Sequence, residues 1–193
     1  RVDADVVEKL IVKDEKVESK LNENQQKDLV PVFSSQFTGE KTNFIVSFEG
    51  MNENAAPVMI TQSEFMRRMK DMSAVSGGMG FYGDMPDSYN LVVNANHPLV
   101  LKIQEKKDKA VGEKVKTIAD ELKPVQEELE KVRKEQADKK EEEIKQEEKD
   151  KMLDLEKKVN DLEDKKKEIL SGFGKKENLV KQIIDLALLA NNM

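Results

Sequence analysis

Between Val111 and Val132, apolar residues return at alternating steps of four and three: Val111, Val115, Ile118, Leu122, Val125, Leu129 and Val132. Three heptads of this kind commit the stretch to a helix whose apolar stripe has to be covered by another helix. A second seam, Met152, Leu155, Val159 and Leu162, follows, and it reaches Ile169 with polar Lys166 at one position. Between the seams, residues 133–151 are nearly all charged. Acid and base stand four apart at Glu135 and Lys139, Glu141 and Lys145, and Glu147 and Lys151, a spacing that supports a solvated helix without burial. Two seams around a polar stretch predict an antiparallel helical hairpin. Because no Gly or Pro lies between Val125 and Ser171, a continuous helix from Pro98 paired with another chain is the alternative. Pro124 is expected to kink or restart the first arm in either case. Such an arm serves either as a solvated spacer or as a docking element for a partner.

The charge is concentrated in this second half. Over the 193 residues, 37% are charged and only 5% aromatic, mean hydropathy is -0.69, and the net charge of -6 gives a pI of 5.1. Lysines interleaved with acids do not make the basic face that nucleic acid requires, so no nucleic-acid partner is expected. The absence of cysteine removes disulfides, thiol nucleophiles and thiolate metal sites. No apolar run approaches the ~20 residues that span a bilayer, and the start RVDADVVEKL lacks a signal-peptide core. A cytoplasmic protein without membrane contact is expected. The first residue is Arg1, and the last helix runs to Met193 without a capping signal, which reads as a piece of a longer chain.

Ahead of the heptads the pattern is mixed. Asp5 and Glu8 have capping-box spacing, predicting a short helix from near Val6. In NENQQKDLVPVFSSQF, Leu29, Phe33 and Phe37 repeat every four residues, with Pro31 expected to bend or restart the helix. Three segments rich in β-branched residues follow, NFIVSFEG, PVMITQ and SYNLVVNAN. The expected fold is α+β: a small three-stranded, mostly antiparallel sheet with packed helices, a long inserted helical hairpin or coiled coil, and a C-terminal helix. SGFGKK is read as the break before that last helix. The expected divisions are 1–20 as a linker helix, 21–102 as the α+β domain, 103–171 as the charged coiled-coil insertion and 172–193 as the terminal helix.

Two stretches point to binding. Seven of the nine methionines fall between Met51 and Met85, and Phe65, Met66, Met69 and Met72 follow a helical spacing opposite Glu64, Arg67, Arg68, Lys70 and Asp71. The stripe is either core or an adaptable surface, since methionine is flexible and polarizable. In ENLVKQIIDLALLANNM, Leu179, Ile183, Leu186 and Ala190 make one stripe, and Val180, Ile184, Ala187, Leu188 and Leu189 widen it over most of the circumference. A helix apolar nearly all round must be covered on more than one side, by its own domain, by further residues or by a second subunit.

Chemistry is not in evidence. Gly78, Gly80 and Gly83 match G-x-G-x-x-G, but outside the strand-to-helix context that binds a dinucleotide. His97, the sole histidine, lies at a helix start that Asn96 could cap, with no Cys or second His for a metal site. Ser34, Ser35, Ser76 and Ser88 have no recognisable base partner. No catalytic residues and no metal ligands are assigned.

The ordered set of PVMITQSEFMRRMKDM, NANHPLV and DLALLANN, with RVDADVVEKLI entering ahead of them, resembles the carboxy-terminal domain of the bacterial ninety-kilodalton heat-shock chaperone family. The likeness covers most of residues 1–101 and 177–193. It implies a homodimerisation and client-binding domain of an ATP-dependent chaperone assisting protein folding, acting by hydrophobic contact and performing no chemistry itself. By this resemblance unfolded or partly folded clients meet Phe65, Met66, Met69 and Met72 with Phe81 and Tyr82, and the dimer forms through Leu179, Ile183, Leu186 and Leu189. ATP and Mg would belong to the full-length protein, with no cofactor and no ATPase activity in this portion. The block from about Ile103 to Ser171 is far longer than the connection usual in that family, and the family continues past the DLALLANN helix. The alternative is a structural adaptor in which the coiled coil works and the Met-rich helix is core.

Overall fold

The β-branched runs form strands in the computed structural model, which describes residues 3, 4, 17–37, 43–62, 68, 88–137 and 146–192. Strand β1 (Asp3–Ala4) precedes helix α1 (Glu23–Ser34), then come β2 (Asn43–Glu49), β3 (Val58–Gln62) and β4 (Ser88–Asn94). Helices α2 (Pro98–Ala137), α3 (Gln146–Lys176) and α4 (Asn178–Ala190) complete the order. The chain divides into two units, Arg1–Lys107 with Ser171–Met193, and Asp108–Leu170.

The first unit is α+β, as expected, but its sheet is mixed rather than mostly antiparallel. Strand order is β1-β3-β4-β2. β4 runs antiparallel to β3, pairing Leu91 with Ile60, and parallel to β2, pairing Leu91 with Val46. The two-residue β1 adds a fourth strand, parallel to β3. Composition accounts for the order. In β4, Leu91, Val92 and Val93 are consecutive and all buried, which requires cover on both faces and suits a central strand. β2 alternates exposed Asn43 and Ile45 with half-buried Phe44 and Val46, and takes the edge. Chain direction still alternates from β2 to β3 to β4. Placing the last of them in the middle converts one expected antiparallel pair into a parallel one.

Helix α1 starts at a capping box in which Asn22 Oδ1 accepts from Gln25 N–H (2.9 Å) and Gln25 Oε1 accepts from Asn22 N–H (3.0 Å). It packs on β2 and buries Leu29, Val32 and Phe33, with the Phe33 ring edge-on to Phe48 at 5.9 Å. Pro31 neither ends nor restarts the helix. The carbonyl it leaves unpaired belongs to exposed Lys27, where water can serve it. A 3₁₀ turn, Ser35–Phe37, carries the Phe37 ring onto Phe44 at 4.0 Å. The helix predicted from Val6 lies outside the described residues, and Val17–Lys20 are not helical.

The glycines of SGFGKK do not break the chain. Helix α3 runs through Gly172 and Gly174 to Lys176. Gly174 is there because α1 crosses it closely. A Cβ at that position would collide with the Val32 carbonyl and the Ser35 hydroxyl, whereas Gly172 faces open space. Gln36 Nε2 donates to the Gly174 carbonyl (2.8 Å) across this crossing.

The second unit is a helical hairpin, which replaces the continuous-helix alternative. Leu122 and Leu129 of α2 pack with Leu155 and Val159 of α3, flanked by Val125, Val132, Met152 and Leu162. Gln126 pairs with Glu163, Arg133 with Glu156, and Gln136 with the Glu148 carbonyl. Partner numbers fall as residue numbers rise, so the two helices are antiparallel. Pro124 does not interrupt α2, because it is exposed and its unpaired carbonyl falls on exposed Asp120.

Candidate functional site

Of the stretches singled out as candidate contact surfaces, α4 is the one among the described residues, and its placement begins at Glu177. That single residue joins α3 to α4: its backbone N–H closes α3 on the Phe173 carbonyl (3.0 Å), and its side chain caps α4 by accepting from Leu179 N–H (3.2 Å). The same carboxylate takes a hydrogen bond from Lys106 Nζ at 2.7 Å. Burial works to raise the Glu177 pKa, but the Lys106 hydrogen bond, the Leu179 N–H and the lysine charge together hold it below the usual glutamate value of 4.5. The next residue along α2, Lys107, is 3% exposed and pairs with Asp28 of α1 at 3.5 Å. Adjacent lysines of α2 thus hold one contact to α4 and one to α1.

Seated in this way, α4 presents two different faces. Val180, Ile183, Ile184 and Ala187 are buried, and the helix packs against β3. Leu186 and Leu189, at 63% and 69% exposure, stand on the opposite side beside Lys181, Gln182, Asp185 and Ala190. The helix closes at Asn191, whose side chain donates to the Ala187 carbonyl (2.8 Å), and Asn192 follows with φ 54°. Asparagine tolerates that left-handed conformation. Of the four residues assigned to a subunit contact, Leu186 and Leu189 are exposed, Leu179 is half-buried and Ile183 lies within its own unit. Helical spacing lists apolar positions without telling the inward stripe from the outward one. Phe65, Met66, Met69, Met72, Phe81 and Tyr82 lie outside the described residues, as do Gly78, Gly80 and Gly83.

A cluster at the head of α2 has a structural part that the sequence did not disclose. His97, not Asn96, caps α2. Its carbonyl accepts from Val100 and Leu101 N–H, and its Nδ1 accepts from Leu99 N–H at 3.1 Å. Desolvation lowers its pKa below 6.5, keeping the ring in the neutral form that can accept. Asn96 instead points inward, 1% exposed, and bonds to the backbone at Lys20, Glu18 and Met51. Two asparagines, Asn94 and Asn96, two positions apart ahead of His-Pro were the available signal, but their partners lie far away in sequence.

In the hairpin, two open grooves of about 640 and 430 Å³ flank the seam, with charged walls that include the Arg133–Glu156 and Lys151–Glu128 pairs. Among the described residues no group of three His, Asp or Glu side chains could hold a metal ion, and no helix is long and apolar enough to cross a membrane. What the arrangement offers is apolar contact through α4.

No family model matches the chain. It is similar to the chaperone protein HtpG of Bacteroides fragilis strain YCH46, 44% identical over 194 residues, and to that of Bacteroides thetaiotaomicron, 41% identical over 194 residues. Each match covers 100% of this chain and 28% of the relative, in its carboxy-terminal portion. The HtpG of Porphyromonas gingivalis strain ATCC 33277 is 44% identical over 112 residues, 58% of this chain and 16% of its own. The chain therefore spans 28% of the length of the Bacteroides relatives, and those matches run through the charged hairpin as well.

Proposed function

Since this chain belongs to the HtpG family of heat-shock chaperones and matches their carboxy-terminal portion, we propose that it is the part of such a chaperone that pairs two subunits and touches client proteins. It does so by non-covalent apolar contact and catalyses nothing itself. ATP binding and hydrolysis belong, on this reading, to other parts of the intact protein, which works on unfolded or partly folded polypeptides in the cytoplasm.

The observation that carries the pairing is the two-sided character of α4. Its inner stripe is already buried, yet Leu186 and Leu189 lie in water one helical turn apart. Fully burying a leucine contributes roughly 1.5 to 3 kcal/mol. Four leucines at a symmetric contact would therefore make a substantial share of a stable dimer. Client contact is assigned to Phe65, Met66, Met69 and Met72, with Phe81 and Tyr82. Methionine-rich surfaces re-pack around varied apolar partners, and several weak contacts would act together.

Two experiments test this. Sedimentation of the intact protein carrying Leu186→Ser and Leu189→Ser should show subunits separating while circular dichroism stays unchanged. A dimer of unaltered affinity removes the assignment. In a methyl NMR titration with an unfolded client, the Met66, Met69 and Met72 signals should shift selectively, and Met→Ser at all three should abolish binding with the fold retained. Unmoved methyls together with an unfolded variant would make that stripe core.

A further inference from the structure

We infer that residues 17–21 form a latch whose seating on Asn96 and Gly50 is coupled to the first turn of α2, so that lifting this segment loosens the head of that helix. The segment has little apolar hold of its own. Val17, Glu18 and Lys20 are exposed, and only Leu21 is buried. What seats it is polar and steric. Lys20 N–H donates to Asn96 Oδ1 at 2.7 Å, and Asn96 Nδ2 donates to the Glu18 carbonyl at 3.1 Å and to the Met51 carbonyl at 3.0 Å. Gly50 leaves the room for it, since a Cβ there would collide with the Val17 carbonyl and crowd the Ser19 nitrogen. Lys20 and Glu53 add an exposed ion pair at the rim.

Coupling follows from what Asn96 would lose. With the segment lifted, a side chain 1% exposed keeps one of its three backbone partners. A buried amide left unpaired is costly, so Asn96 must turn out to water. It cannot do so alone. Its backbone N–H is bonded to Asn94 Oδ1 at 3.0 Å, Asn94 Nδ2 holds the Asn52 carbonyl at 2.8 Å, and the next residue is His97, which caps α2. Releasing the latch therefore disturbs the 94–97 turn and the cap. Such a latch operates whatever the chain binds.

Hydrogen exchange followed by NMR on the whole chain, at low and rising denaturant, tests it directly. The amides of Lys20, Asn96 and Leu99 should open together, with one free energy and one denaturant slope, below those of Leu91 and Val93 in β4. In Gly50→Ala, Lys20 exchange should quicken roughly tenfold or more, with Leu99 and Val100 following by the same factor and Val93 unchanged. A separate, easier opening of Lys20 in the unaltered chain overturns the coupling, as does a Gly50→Ala variant that speeds Lys20 alone. If that variant unfolds throughout, the unaltered chain decides the matter by itself.

Discussion

The two units of this chain bury apolar residues to different degrees and tolerate change differently. In the α+β unit, Leu29, Val32, Phe33, Leu91 and Val93 are all at 0% exposure, whereas the hairpin core of Leu122, Leu129, Leu155 and Val159 stays between 6% and 9%. A two-helix seam always leaves one side near water, so its order rests on repetition. The α+β core is enclosed from several directions and rests on particular contacts that cannot be moved along the chain. Periodicity therefore specifies the hairpin, while single close approaches specify the other unit.

The sharpest way to break this comparison is to remove one large side chain from each core. Phe33→Ala should cost the α+β unit about 3 to 5 kcal/mol, and Leu122→Ala should cost about 2 kcal/mol, near the lower end for its type because the site can relax toward solvent. Denaturant unfolding followed by signals from each unit measures both, and equal losses would contradict the contrast. Next come the two glycines of α3. Gly174→Ala should lose about 1 to 3 kcal/mol by forcing α1 away, while Gly172→Ala, with open space around it, should gain up to ~1 kcal/mol in helix propensity.

A smaller effect is expected at the joint. Glu177→Gln keeps an acceptor for Leu179 but loses the charge facing Lys106, at a cost of about 1 kcal/mol given that lysine's partial exposure. The sign with pH follows from the lowered pKa. The carboxylate's contribution is fully present above 4.5 and is lost as pH falls through the lower folded value, so variant and parent should converge in stability in acid. Smallest of all is Lys151→Ala. Its pairing with Glu128 at 2.8 Å lies in water on the hairpin surface, and the melting temperature should shift little and not at all in high salt.

Where structure was legible in the sequence, the signal was local. The three longer strands are found where β-branched residues cluster, and both heptad seams meet as a hairpin. Pairing direction was not legible, because it depends on β4 competing for the centre of the sheet with Leu91, Val92 and Val93 buried together. Gly174 and Pro31 were misleading for a related reason. Each is a breaker by local rule, yet one is retained for a close helix crossing and the other leaves its unpaired carbonyl at a solvated residue. At the candidate surface, the set Leu179, Ile183, Leu186 and Leu189 came from the family resemblance, and of these Leu186 and Leu189 are exposed while Ile183 is buried. The Lys106–Glu177 contact, 71 residues apart in sequence, and the bonds of Asn96 had no local signature at all.

The one-residue joint at Glu177 also restricts how this region can change in length. Each residue of a helix turns its successor by about 100°. A one-residue insertion beside Glu177 would therefore swing every side chain of α4 around its axis, bringing Leu186 to the buried place of Ala187 and Ile184 to the exposed place of Asp185, while a one-residue deletion would carry Ile183 to the exposed place of Gln182. Drift by substitution is open to the helix, but drift by insertion or deletion at its root is closed unless a whole turn is added.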